Sequence, residues 1–272
     1  MKDYNLQQFL LPTYYCDSDN DLVKDIARKY VDQGLDEAEL ARRLFYYVRD
    51  STVYRVGHWT RKASETLLEK GGTCTNNANL LVALLRAAKI PAGYGVMDVV
   101  GPEYFGPVVL PHFSRNVSRR SKHVYCYVYV KDKWVKCDPS DDEPLSINTQ
   151  HLNPQSRVVE WNGLSDAMLN LDPNHILKDD GPLSSIDNVI AKKMKHRRRI
   201  PVYLGNIYIQ FLREEGRNIL KLSELNDAFN RWLFQNHKVL YIFYRLFFFI
   251  ESTVNRMREY SRSTFIKNNK YA

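Results

Sequence analysis

Gly71-Gly72-Thr73-Cys74 runs into the apolar stretch Ala78 to Ala88 (ANLLVALLRAA), so the chain must place a thiol where a glycine turn feeds the first turn of a helix. Unpaired N–H groups and the positive end of the macrodipole at a helix N-terminus stabilise a thiolate. The glycines remove side-chain bulk that would block a substrate carbonyl. A cysteine at this position also fits a small buried residue at a helix start. The choice between these readings rests on what lies downstream.

His123 opens the run His123-Val124-Tyr125-Cys126-Tyr127-Val128-Tyr129-Val130, whose aromatic and β-branched residues predict a strand. Lys131-Asp132 makes a polar turn into Lys133-Trp134-Val135-Lys136-Cys137-Asp138. With a two-residue loop the pair forms a hairpin in which Val130 faces Lys133, Cys126 faces Cys137 and Tyr125 faces Asp138. His123 then lies diagonally from Asp138 on one face, within reach of a long side chain. A thiolate nucleophile needs a base to carry its proton, and the base needs an orienting acceptor on its other nitrogen. Cys74, His123 and Asp138 supply these three groups.

Gly72-Thr73-Cys74, the helix end Leu84-Leu85-Arg86-Ala87-Ala88-Lys89-Ile90-Pro91-Ala92, the strand histidine and Trp134-Val135-Lys136-Cys137-Asp138-Pro139-Ser140 together resemble the bacterial transglutaminase-like superfamily. The resemblance covers roughly residues 10 to 145. It implies a papain-like α+β core and carries nucleophile onto Cys74, base onto His123 and orienting acid onto Asp138. Lys89 stands where the family usually has glycine before Ile-Pro, and Gly93 where it often has arginine. Neither touches the three reactive groups, so these departures bear on substrate preference. Some transglutaminases use a tryptophan indole N–H in the oxyanion hole, which makes Trp59 a candidate donor beside the Cys74 backbone N–H; the plainer reading of Trp59 is a core or cleft-wall residue.

The pattern around this nucleus is helices first, strands after. Asp21 to Gln33 and Asp36 to Asp50 have amphipathic spacing, Ser64 to Lys70 predicts a short helix and Tyr94 to Val100 a strand, which suggests an α+β domain with the Cys74 helix packed on an antiparallel sheet. The connection from 101 to 122 is long for a compact domain and either roofs a cleft or is a surface insertion. Its Arg115, Arg119, Arg120 and Lys122 meet an anionic substrate or face water. His58, His112 and His151 lack a partner pattern and read as ordinary residues.

Charge divides the chain near residues 172 to 186. Residues 181 to 272 carry 17 Lys and Arg against 7 Asp and Glu, whereas the first 180 carry 22 against 24. We therefore expect a catalytic domain over 1–180 and a basic, aromatic-rich helical region over 181–272. The latter holds the basic block Lys192 to Arg199, helical stretches near Val202 to Arg213 and Ser223 to Gln235, and the apolar run Val239 to Ile250. That run is too short to span a bilayer. The region either lies on an anionic membrane, grips an acidic protein or contacts nucleic acid, or else packs its aromatic face on the core.

The chain has four cysteines without a CxxC pair or a Cys/His cluster, which argues against structural zinc and a disulfide framework. Cys126 and Cys137 form either a reduced core pair or a cross-strand redox switch. The start Met1 to Gln8 lacks the basic and apolar segments of a secretory signal, so a cytoplasmic location is expected. The expected activity is cysteine-dependent acyl transfer through an acyl-enzyme on an amide or thioester, without cofactor or metal. The acceptor is either water or an amine; some bacterial relatives join carrier-protein-bound acyl groups, and an acidic carrier would suit the basic tail. The rival is a non-catalytic module that binds an acidic partner.

Overall fold

The structure, a computed structural model, describes residues 5–57, 59–115, 117–153, 157–192 and 199–246. His58, most of the basic block (193–198) and the end of the aromatic run from 247 onward lie outside them. The chain divides into two compact units, Met1–Leu222 and Ser223–Ala272.

The first unit begins with α1 (Asp21–Val31) and α2 (Glu37–Ser51), whose N-caps Asn20 and Asp36 each accept a backbone N–H through the side chain. β1 (Val53–Tyr54) and α3 (Ala63–Glu69) follow. The glycine pair expected to turn into the nucleophile helix is instead the short strand β2 (Gly71–Gly72), paired in parallel with β1. Packing explains the glycines. A Cβ on Gly71 would lie 2.9 Å from the Val53 carbonyl oxygen, and one on Gly72 only 2.4 Å from the Asn76 Cβ.

Helix α4 (Cys74–Ala87) is the axis of the core, with every residue from Cys74 to Arg86 buried. A helix enclosed on all sides needs small and apolar residues all round, which the AxLLVALL run provides. Lys89 closes it in the left-handed region at φ 65°, the conformation for which glycine is the usual solution. Arg86 is buried and donates to the carbonyls of Ala92 (3.0 and 2.9 Å), Leu11 (2.5 Å) and Ser184 (2.7 Å), tying three distant backbone segments to the helix.

β3 (Ala92–Val100), β4 (Arg120–Val130), β5 (Lys133–Cys137) and β6 (Ile176–Leu183) form an antiparallel sheet in the order β5-β4-β3-β6. The hairpin register is the expected one, with Val130 opposite Lys133 and Cys126 opposite Cys137. Lys131 and Asp132 both have positive φ (47° and 61°), as a two-residue mirror-image turn requires. Val124, Cys126 and Val128 join the core built on α4. The compositional break at residue 181 falls inside β6.

The 101–122 connection folds into α5 (Gly101–Phe105) and α6 (Pro111–Ser114) before β4. α7 (Glu143–Thr149), α8 (Asp187–Lys192) and α9 (Arg199–Glu215) complete the unit. In the second unit α10 (Leu225–Asn236) buries Phe229, Trp232 and Leu233, and Tyr244 stands edge-on to Phe229 at 5.5 Å. Phe243 is 65% exposed. Among the described residues no helix is long and apolar enough to cross a membrane, and no group of three or more His, Cys, Asp and Glu side chains is arranged to hold a metal ion. All four cysteines are buried thiols outside any disulfide.

Candidate active site

Cys74 is the first residue of α4, immediately after the N-cap Thr73. Asn76 folds back to accept from the Thr73 backbone N–H (3.0 Å) and hydroxyl (2.9 Å), fixing the helix entry. One position further, the Asn77 side-chain amide donates to the carbonyls of Ser140 (3.1 Å) and Pro139 (3.4 Å). The helix that starts at Cys74 thus holds the loop that carries Asp138.

His123 and Asp138 are both buried, and the His123 Nε2 donates to the Asp138 Oδ2 at 2.6 Å. The Asp138 Oδ1 accepts from the Ser140 backbone N–H (3.2 Å) and from its hydroxyl, so the carboxylate has one oxygen for the imidazole and one for its own loop. Burial pushes the imidazole down, but the Asp138 charge, the Asp138 hydrogen bond and a hydrogen bond with Cys74 outweigh it and hold His123 well above its usual range. With Nε2 engaged, Nδ1 is left to the Cys74 side. There it also meets the Tyr104 hydroxyl at 2.9 Å.

Tyr104, on α5, was not legible as a site residue; the only sequence signal was the aromatic content of a long connection. Its phenol is held well above the usual range, first by burial and then by the Cys74, Tyr54, Asp141 and Asp138 groups around it. Tyr125 stacks beside His123 with centroids 6.3 Å apart, and lies over Gly95, where a Cβ would come within 2.0 Å of the ring. Only glycine on β3 admits it.

Cys74 opens into a cleft of about 650 Å³. The α5–α6 connection supplies one wall through Tyr104, Phe105, Val108 and Phe113, so it roofs the cleft. Trp59 lines the same cleft. α9 lines the cleft too, through Val202, Tyr208 and Leu212, and Tyr208 packs against Phe113 of the α5–α6 connection with ring centroids 5.2 Å apart. α9 is held there by Arg213, which donates to both Asp142 oxygens (2.9 and 2.7 Å) and to the Tyr54 carbonyl (3.0 Å), and by Asn206, which exchanges hydrogen bonds with the Val56 backbone (2.8 and 3.0 Å). His151 bonds the Ile219 carbonyl (2.8 Å) and His112 packs on Phe113, both away from Cys74. Arg120 and Lys122 reach the rim but pair with Asp98. Cys126 faces Cys137 across the hairpin and donates to the Ala78 carbonyl (3.4 Å), and burial is the leading cause holding its thiol well above the usual range.

Residues 24–139 match the family model of the Transglutaminase-like superfamily, a span that contains Cys74, His123 and Asp138. Among solved structures the chain is similar to a candidate cysteine protease from Cytophaga hutchinsonii, at 23% identity over 53% of this chain and 44% of that one, with a TM-score of 0.41. It is also similar to the periplasmic domain of TgpA from Pseudomonas aeruginosa bound to ethylmercury, at 18% identity over 49% of this chain and 47% of that one, with a TM-score of 0.35. A third is a candidate protease from Parabacteroides distasonis, at 16% identity over 50% of this chain and 25% of that one, with a TM-score of 0.34. The chain spans less than half the length of each of these proteins. Comparison with curated proteins gives no match.

Proposed function

Taking residues 24–139 as a transglutaminase-like core, we propose that the protein is a cysteine-dependent acyl-transfer enzyme with Cys74 as nucleophile, His123 as base and Asp138 as the acid that orients it. The observation that carries this reading is the buried 2.6 Å His123–Asp138 bond, set where the first turn of α4 presents the Cys74 thiol. An imidazole raised by a carboxylate and a thiol favours the thiolate–imidazolium form, the reactive state of the pair.

The thiolate attacks the carbonyl carbon of an amide or thioester. The tetrahedral oxyanion is received by the Cys74 backbone N–H, which lacks an intrahelical acceptor at N1, with the Trp59 indole N–H as second donor. His123 then delivers its proton from Nδ1 to the departing amine or thiol, and the C–N or C–S bond breaks to leave an acyl-Cys74 enzyme. Water or an amine gives its proton to His123, attacks the acyl carbon and regenerates the thiol. Amide and thioester donors, the latter including carrier-bound acyl groups, enter the same scheme.

Intact-protein mass spectrometry after incubation with candidate amides and acyl-thioesters tests it. A mass increase equal to the acyl group, absent in Cys74→Ala, is expected, and its decay product names the acceptor. Labelling by iodoacetamide at neutral pH should concentrate on Cys74 over Cys16, Cys126 and Cys137. Cys74→Ser and His123→Ala should each lower turnover by about 10³-fold or more, and Asp138→Asn by less, with effects far from additive. Full turnover by Cys74→Ala removes Cys74 as the nucleophile, and equal labelling of all four thiols without any acylation leaves a binding module of the same fold.

A further inference from the structure

The charged groups around the cleft are unequal in what holds them. Asp98 takes both rim cations, Arg120 at 3.5 Å and Lys122 at 2.5 Å. Asp138 is engaged by His123 and Ser140, and Asp142 by Arg213 and the backbone N–H groups of Tyr54 and Leu145. Asp141, between them in sequence, lines the cleft beside Cys74 and is half-buried. Among the described residues nothing donates a hydrogen bond to its carboxylate or pairs with it.

A carboxylate without a hydrogen-bonded partner, next to two other acids and offset only by the charge on His123, is costly to hold in a partly closed cleft. Burial, then the Asp138 and Asp142 charges, push it up to about 7. A bound cation would remove that penalty. The surrounding walls suit a cation as well, since Tyr54, Trp59 and Tyr104 line the same cleft and aromatic faces attract ammonium groups.

We propose that Asp141, in the cleft that Tyr54, Trp59 and Tyr104 also line, is a subsite that receives an alkylammonium group of the substrate beside the Cys74 sulfur. This rests on the acyl-transfer reading and narrows its substrates to those with a basic amine near the reacting carbonyl. The amine belongs either to the acceptor or to the side chain of the acyl donor. An alkylammonium must lose a proton before its nitrogen can attack, so on the acceptor side Asp141 binds the ammonium form, neutral His123 takes one proton from it, and the proton released as the amide forms goes to the departing Cys74 sulfur.

The test is the alkylation of Cys74 by iodoacetamide in the presence of n-butylammonium, with n-butanol and sodium chloride as controls. Saturable protection by n-butylammonium is expected, at least tenfold weaker in Asp141→Asn and largely retained in Asp141→Glu, which keeps the charge; n-butanol should act equally on all three. Each variant is compared with its own unprotected rate, and a thermal melt verifies its fold. Equal protection of wild type and Asp141→Asn, or protection by n-butanol matching that by n-butylammonium, overturns the subsite. Two further arms locate the ammonium. Faster decay of acetyl-Cys74 with n-butylamine, lost in Asp141→Asn, assigns it to the acceptor. Faster acylation by a lysyl thioester than by its norleucyl analogue, lost in the same variant, assigns it to the donor; loss in neither arm overturns the proposal. If Cys74 is not selectively alkylated even without ligand, it is the acyl-transfer reading that fails, whereas selective alkylation without amine protection removes the subsite alone.

Discussion

The two sides of the cleft are built on opposite principles. On the hairpin side, His123 and Asp138 are fully buried and hydrogen-bonded, and Asn77 fastens the Asp138 loop to the helix that begins at Cys74. The rest of the lining is looser: Tyr104 reaches in from a connecting segment, one wall is a helix brought from about 70 residues further along the chain by Arg213, and Asp141, although next to Ser140 on the fastened loop, has no hydrogen-bond partner among the described residues. Under the acyl-transfer proposal, the difference separates chemistry from recognition. Reactive groups need fixed geometry and satisfied partners, whereas a recognition surface keeps unspent polar capacity for what it binds.

If the hairpin side is as rigid as its buried bonds imply, its supports should be the most expensive to remove. Arg86 is the strongest case, because three carbonyl groups lose their donor when it goes and water cannot replace it at a side chain 1% exposed. Arg86→Met should lower unfolding free energy by about 3–5 kcal/mol, measured by urea denaturation. A cost under about 1 kcal/mol would mean that the three segments are held by other means.

The α9 wall should yield less stability and as much activity. Arg213→Ala removes the pair with a 4% exposed Asp142 side chain and should cost about 2–3 kcal/mol. The larger consequence should be a raised KM, since α9 lines the cleft through Val202, Tyr208 and Leu212. Unchanged KM with reduced stability would make α9 a buttress instead of a wall. By the same logic a protein truncated after residue 180 should lose activity on its natural substrate, since it lacks part of β6 and all of α9.

What was legible in the sequence follows the same division. The hairpin could be read because alternating aromatic and β-branched residues, a two-residue polar turn and the fixed two-residue repeat of a strand determine which side chains meet; His123 and Asp138 meet as that register requires. The Cys74 helix could be read from its apolar run. β6 could not, because its sequence LKDDGPL reads as a polar loop: it is an edge strand that pairs through its backbone, and its Asp179 bonds Tyr125 and Lys136 instead of entering the core. Asp141 was one acid in a run of polar residues, and Arg213 lay 71 positions from the carboxylate that it holds. No local pattern records a pairing of that kind.

Asp141 also gives a prediction whose sign separates the two sides. A carboxyl raised to about 7 in the native protein from an ordinary 3.8 binds more protons folded than unfolded across that interval, so it lowers stability as pH rises from about 4 to 7. Asp141→Asn should therefore be more stable than wild type by about 1–3 kcal/mol at pH 8, with the difference vanishing near pH 4. Paired denaturation curves at the two pH values check this. A variant less stable than wild type at pH 8 would place Asp141 with the structural acids Asp138 and Asp142.

The smallest expected effect concerns Lys89, on the well-supported side of the molecule. At φ 65° this residue sits in the left-handed region, where a β-carbon is disfavoured and glycine is not, and its backbone N–H donates to the Arg86 carbonyl at 3.0 Å to close the helix. Glycine at that position also gains flexibility in the unfolded chain, which offsets part of the relief. Lys89→Gly should consequently stabilise the protein by about 0.5–1 kcal/mol, seen as a rise of roughly 1–3 °C in melting temperature, while leaving Cys74 labelling unchanged. A destabilised variant would mean that the lysine side chain contributes more at the end of α4 than its backbone costs.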